Sequence, residues 1–209
     1  MIDLDNGDFL TFASIASAVG VEVNSSWHWK DCEVTPGIYI RHPELQDSQS
    51  RSDISRDGYM GVLFNQAMKG DTPTVQKIRK AGLKRRWTMG IRGDFDYINI
   101  WPLVPILYAF KWRWMPTIPT LCTPLNNQGF RAHLLALTIC IERSLGKKRW
   151  SHKQAARGLM MENPRNPWFR ALSLRITGDS FGVGDEYHWG GCPPELHRAL
   201  TKWTLEKMP

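Results

Sequence analysis

The sequence predicts a mainly α-helical fold of stacked antiparallel helical hairpins, with one short extended segment near residues 21–46. Three observations carry that expectation. Apolar residues recur at helical spacing, most clearly Leu134, Leu137, Ile141 and Leu145, and again Tyr59, Val62, Leu63 and Gln66. Two apolar runs close on the same dipeptide, Gly70-Asp71 and Gly178-Asp179, where Gly supplies a left-handed helix stop and Asp can cap the next element. Asp71-Thr72-Pro73 then restarts a helix at once, with Pro where a missing N–H costs nothing.

Taken in order, residues 8–19 read as a first helix, with Asp8 as its cap, Phe9, Phe12, Ile15, Ala16 and Val19 facing inward, and Gly20 as its stop. Residues 21–23 and 37–40 have strand character, and Thr35-Pro36-Gly37 is a turn signal. The stretch 47–71 is the centre of the expected fold. It opens polar and charged, with Asp53, Arg56 and Asp57 close together, and then runs into a compact helix. A second helix over 74–86 comes so soon after it that the two should pack antiparallel. Residues 97–114 are apolar and aromatic, broken at Pro102 and Pro105. Residues 115–128 read as a loop, and helices are expected over 130–145, 151–161, 168–177 and 193–208. The whole chain, 1–209, is expected as one domain, with 1–46 as an irregular or extended N-terminal lobe and 47–209 as the helical body.

A chain of 209 residues with 42% hydrophobic and 22% charged residues is long and apolar enough for a sizeable core. Ten Trp supply large buried area, and also surfaces on which sugars or bases can stack. The net charge of +7 favours polyanionic partners: an anionic polysaccharide, nucleic acid, phospholipid or an acidic protein. The densest basic cluster is Lys77, Arg79, Lys80, Lys84, Arg85 and Arg86, on a helix whose apolar Val75, Ile78 and Leu83 should face elsewhere. A merely solvated face is the alternative for that cluster. The acidic start, MIDLDNGDF, lacks the basic and apolar regions of a signal peptide, and no run of about 18 apolar residues suits a membrane span, so the default location is cytoplasmic.

Nucleotide-fold enzymes are disfavoured: no Walker loop, Gly-x-Ser-x-Gly or Gly-x-Gly-x-x-Gly stands in a strand–turn–helix context. Cys32, Cys122, Cys140 and Cys192 are too few for a small disulfide scaffold. One echo concerns metal. His28-Trp29-Lys30-Asp31-Cys32 and His188-Trp189-Gly190-Gly191-Cys192 share the pattern His-Trp-x-x-Cys. Their two His and two Cys would satisfy a tetrahedral zinc ion. A Cys32–Cys192 disulfide and two independent loops with free thiols are the other readings. No other cofactor is expected.

The segment Leu174-Arg175-Ile176-Thr177-Gly178-Asp179, with Ser55-Arg56-Asp57 leading a helix, resembles the helical hairpins of (α/α)-toroid carbohydrate-active proteins, the glycoside hydrolases and polysaccharide lyases. The resemblance covers these two short segments, and no complete catalytic signature accompanies it. It implies a partial toroid and a hydrolase or lyase acting on an anionic polysaccharide, with a pair of carboxyl groups at the hairpin ends. Asp57, Asp94 and Glu186 are the leading candidates, and His188 a further general acid or base. The loops at Asp53–Asp57, Asp94–Asp96 and Asp185–His188 are expected to border one groove. Asp57 lies at a helix start, where the dipole favours the ionised form and suits a base. Asp94 and Glu186 stand beside Phe95, Tyr97, Tyr187 and Trp189, whose apolar surroundings suit a general acid. Arg56, Arg92, Tyr59 and Trp189 are the expected substrate-binding residues. The competing expectation is a non-catalytic basic module that binds nucleic acid or an acidic protein.

Overall fold

The computed structural model describes residues 1–4, 7–45, 54–90, 97–111, 130–182, 189 and 191–209. The protein is mainly helical. Its α-helices are α1 (Phe9–Val19), α2 (Arg56–Lys69), α3 (Pro73–Lys84), α4 (Val104–Ala109), α5 (Phe130–Ser144), α6 (Trp150–Glu162), α7 (Pro167–Thr177) and α8 (Pro194–Glu206). Two small antiparallel hairpins accompany them: β1 (Glu33–Thr35) with β2 (Ile38–Tyr39), and β3 (Thr88–Gly90) with β4 (Tyr97–Asn99). The second hairpin corrects the expectation that extended structure is confined to residues 21–46. Tyr97, Ile98 and Asn99 belong to a strand, and the helix comes only after Pro102. Residues 21–23, expected as strand-like, contribute one isolated bridge, Ile2 to Val23.

The helix starts and stops follow from the residues. Ser55 caps α2 by accepting the Gly58 N–H at 2.9 Å, and Asn166 caps α7 by accepting the N–H groups of Trp168 and Phe169. Gly70 and Gly178 take the left-handed conformation that closes α2 and α7, as their place after an apolar run requires. Asp8 stands at the α1 start but makes no side-chain cap bond.

At the centre lies α2. Ten consecutive residues, Gly58 to Ala67, are buried, so it has no solvent face. Its partner is α1 rather than α3, which corrects the expected 57–69/74–86 hairpin. The pairing is parallel: a Cβ on Gly58 would meet Leu10, a Cβ on Gly61 would lie 2.7 Å from the Thr11 carbonyl oxygen, Asn65 donates to the Ser14 carbonyl oxygen, and Lys69 to Ser17. The absence of side chains at 58 and 61 is what lets the two backbones approach. On another side α5 packs against α2, itself buried over most of its circumference. Phe64 of α2 meets Trp203 of α8 edge-on.

The α6–α7–α8 layer is tied to this centre by an aromatic stack. Trp189 lies parallel to Trp168 at 5.8 Å and against His133 at 4.6 Å, with Phe12 on its edge. Trp168 donates its indole N–H to Thr204. His197, buried in the same group, has its pKa lowered to about 3, first by burial and then by the charge on His133. Buried side chains from Ile2 to Met208 form one continuous cluster, and residues 1–46 contribute Phe9, Phe12, Trp29 and Ile40 to it. Among the described residues no helix is long and apolar enough to cross a membrane.

Candidate functional site

Because α1 and α2 run parallel, both N-termini emerge at one end, each carrying an aspartate: Asp8 before α1 and Asp57 in the first turn of α2. Arg41, just after β2, holds the α1 side of that junction. Its carbonyl oxygen accepts the Leu10 N–H at 2.8 Å, and its guanidinium donates to the Gly7 carbonyl and to Asp8, both at 3.4 Å. Arg56 comes from the α2 side. Its Nε donates to the Asn99 carbonyl oxygen at 2.9 Å, which ties the α2 start to β4.

The charges of Asp8, Arg41 and Arg56 therefore all act on Asp57 at this half-exposed junction. The Asp57 carboxyl is held above the ordinary carboxylate range, first by burial and then by the negative charge of Asp8; Arg41 and Arg56 act in the opposite sense. The direction is opposite to the one expected from the helix dipole alone. Asp57 is half-buried, and loss of water together with the Asp8 charge outweighs the two arginines. A carboxyl whose pKa is raised, in the field of a second carboxylate that lies 3.4 Å from an arginine, is the kind of contrast by which two carboxyls can take different roles.

The other expected site residues fall into three groups. Asp94, Glu186, His188 and Arg92 lie outside the described residues, as do Asp53, Asp96 and Asp185. The β3–β4 register does place the bounds of the Asp94 segment, Gly90 and Tyr97, close to the carbonyl that Arg56 holds. Tyr59 and Trp189 are corrected from ligand contacts to core residues. Tyr59 has no exposed surface; its hydroxyl donates to the Gly37 carbonyl and accepts the Tyr39 N–H, pinning the β1–β2 hairpin to α2. Trp189 is 6% exposed and packs against Trp168, His133 and Phe12.

The paired His-Trp-x-x-Cys segments also part company. His28 Nδ1 accepts the Lys30 N–H and so caps the short turn over 29–32, while the Cys32 thiol is buried. Cys32 and Cys192 are both free thiols, which removes the disulfide reading, and burial pushes each up to about 12. Among the described residues no group of three or more His, Cys, Asp or Glu comes together as a metal site; His188 of the expected zinc set lies outside them.

The basic helix is less uniform than its sequence. Lys77 is bound to Glu33 at 3.0 Å, and the Arg79 guanidinium lies 4.5 Å over the Tyr108 ring. Lys80, Lys84, Arg85 and Arg86 are exposed. Leu83, expected to face away from the cations with Val75 and Ile78, is 57% exposed. The helix ends in two left-handed non-glycine residues, Arg86 (φ 51°) and Trp87 (φ 65°), which fold the Trp87 ring back over Gly82. Each such residue costs on the order of 1 kcal/mol.

Sequence reasoning missed Asp8 and Arg41 as site residues. Asp8 reads as an ordinary cap, and only the parallel packing of α1 on α2 brings its charge to bear on Asp57. It also missed the buried group at the α5–α6 junction. Glu142 and His152 are both fully buried and hydrogen-bonded to each other, with Arg149 Nε 3.5 Å from the same carboxylate. Glu142 inside the apolar run of α5 was the available signal. Comparison with known families, with curated proteins and with solved structures returns no match.

Proposed function

We propose that the protein acts on an anionic glycan, with Asp57 as the acid–base carboxyl. One observation carries the reading: two parallel helix starts bring Asp57 and Asp8 together with Arg41 and Arg56, and Asp57 holds its proton more tightly than an ordinary carboxyl. Perturbed carboxyls beside a like charge are concentrated at functional sites. On this reading Asp57 protonates the departing glycosidic oxygen, Asp8 serves as the second carboxylate, and Arg41 and Arg56 orient an acidic group of the glycan. Hydrolysis of this kind needs two carboxyls separated by about 5 to 9.5 Å, the shorter spacing retaining and the longer inverting configuration. The proposal also keeps Asp94, Glu186, His188 and Arg92 at the border of the same groove, and the helices as part of an (α/α) toroid.

The test is cleavage of a panel of uronic-acid polysaccharides by the wild-type chain and by Asp57→Asn. The variant should lose about a hundredfold or more in rate while remaining folded, since positioned acid–base groups contribute that much. Full activity in Asp57→Asn, or no cleavage across the panel, would reject the enzyme reading.

A second reading, non-catalytic binding of a polyanion, is favoured by the exposed Lys80, Lys84, Arg85 and Arg86 on α3. It expects retention on heparin or single-stranded DNA that weakens steeply with salt, and that weakens further in a Lys84→Ala/Arg85→Ala/Arg86→Ala variant.

A further inference from the structure

Between α3 and the chain leaving α4 lies a cleft of about 430 Å³, within the range of small-ligand sites. Three cations line it, Arg79, Lys80 and Lys111, and among the described residues no acidic side chain does. Its apolar surface comes from Val75, Leu83 and Phe110. Leu83 is 57% exposed, an uncommon position for a large aliphatic side chain on a helix whose other apolar residues turn inward.

Arg79 is the built element of the cleft. Its guanidinium is fixed by stacking 4.5 Å over Tyr108, and Tyr108 is in turn held edge-on by Trp87. The Arg79 Nε is buried and makes no hydrogen bond among the described residues. A planar donor group that is held by stacking and keeps one buried N–H unused is matched to an oxyanion that accepts two bonds at once. Thr72 and Gln76 add neutral donors from the first turn of α3, where the helix dipole also favours negative charge.

We propose that this cleft binds a small phosphate monoester with a ring-shaped apolar body, the phosphate on Arg79, Lys80 and Lys111 and the ring against Leu83 and Phe110. Three cations with no acid match a dianion better than a single carboxylate. The size of the cleft and its apolar wall match a compact ligand better than a passing polymer strand. The site does not depend on the Asp57 chemistry, and it stands or falls separately from it.

The experiment is isothermal titration calorimetry with phenyl phosphate as probe, against inorganic phosphate and phenol as its two halves. Phenyl phosphate should bind at least about tenfold more tightly than either half, because it engages both walls of the cleft. Arg79→Lys keeps the charge but not the fork and should weaken binding about tenfold. Lys80→Ala changes an exposed side chain and should weaken it with no change in melting temperature, so the result is readable even where an Arg79 variant is destabilised. Equal affinity for phenyl phosphate and inorganic phosphate would overturn the proposal, as would binding unaffected by both substitutions. A complex with oligo(dT) that excess phenyl phosphate fails to displace, in a protein that binds phenyl phosphate no better than its halves, would assign the α3 face to a nucleic acid instead.

Discussion

Helices α2 and α3 are joined by a three-residue turn and are similar in length, yet they live in opposite environments. In α2, ten consecutive residues are buried. In α3, only Val75, Ile78 and Gly82 are, and much of the rest is exposed and cationic. The difference explains why the two do not form the hairpin that their tight connection suggests. Antiparallel pairing needs complementary apolar faces along both helices. The α3 stripe is narrow and already covered: the β1–β2 turn meets the Lys77 backbone at Gly37, and the Trp87 ring covers Gly82. On α2 the small residues Gly58 and Gly61 admit the α1 backbone instead. The interior around α2 is therefore where the fold is held, and α3 is where exposed charge collects.

If that contrast is right, substitutions should separate cleanly by region. The largest effect belongs to the interior. Glu142→Ala strips the buried His152 and the part-exposed Arg149 of their carboxylate and should cost about 3–5 kcal/mol, measured by urea unfolding. Gly61→Ala forces a Cβ to 2.7 Å from the Thr11 carbonyl and must push α1 away, at about 1–3 kcal/mol in the same assay. At the edge, Lys80→Ala and Lys84→Ala should each stay within about 0.5 kcal/mol. A large loss there would show that α3 helps to hold the fold and is not a free face.

Acid should act on the interior first. His197 is depressed to about 3 in the folded protein, below the 6.5 of an unfolded chain. The unfolded state then binds the extra proton, so the stabilisation is complete above about pH 6.5 and is lost as pH falls from there toward 3. A His197→Phe variant should show a flatter acid limb in thermal melts recorded between pH 7 and 4. Asp57 has the opposite sign. Its raised pKa means that ionisation costs stability as pH climbs above the ordinary 3.8. Asp57→Asn should therefore melt at a slightly higher temperature than wild type near neutral pH, with the gain vanishing below about pH 4.

Much of this architecture was readable in the residues. Helix stops at Gly20, Gly70 and Gly178 are what glycine after an apolar run predicts, and the α5 periodicity places Leu137 and Ile141 in the core. What escaped were relations between segments. The strand at Tyr97–Asn99 pairs with Thr88–Gly90, and strands of three residues are too short to show an alternating pattern in the sequence. The Trp189 ring looks like a stacking platform because aromatic residues serve both cores and ligands, and only its contacts with Trp168 and His133 decide for the core. Asp57 was legible as a candidate from its place at a helix start. Its partner Asp8 was not, because 49 residues separate them and nothing local announces a parallel helix pair.

The functional reading rests on Asp8 and Asp57 forming one coupled acid–base centre. The direct measurement is a carbon-detected NMR titration of the Asp57 carboxyl in the wild-type chain and in Asp8→Asn. Asp57 should titrate above the ordinary 3.8 in the wild type and move down when the Asp8 charge is removed. An Asp57 that titrates at or below the ordinary value, or that does not respond to Asp8→Asn, would contradict the coupling.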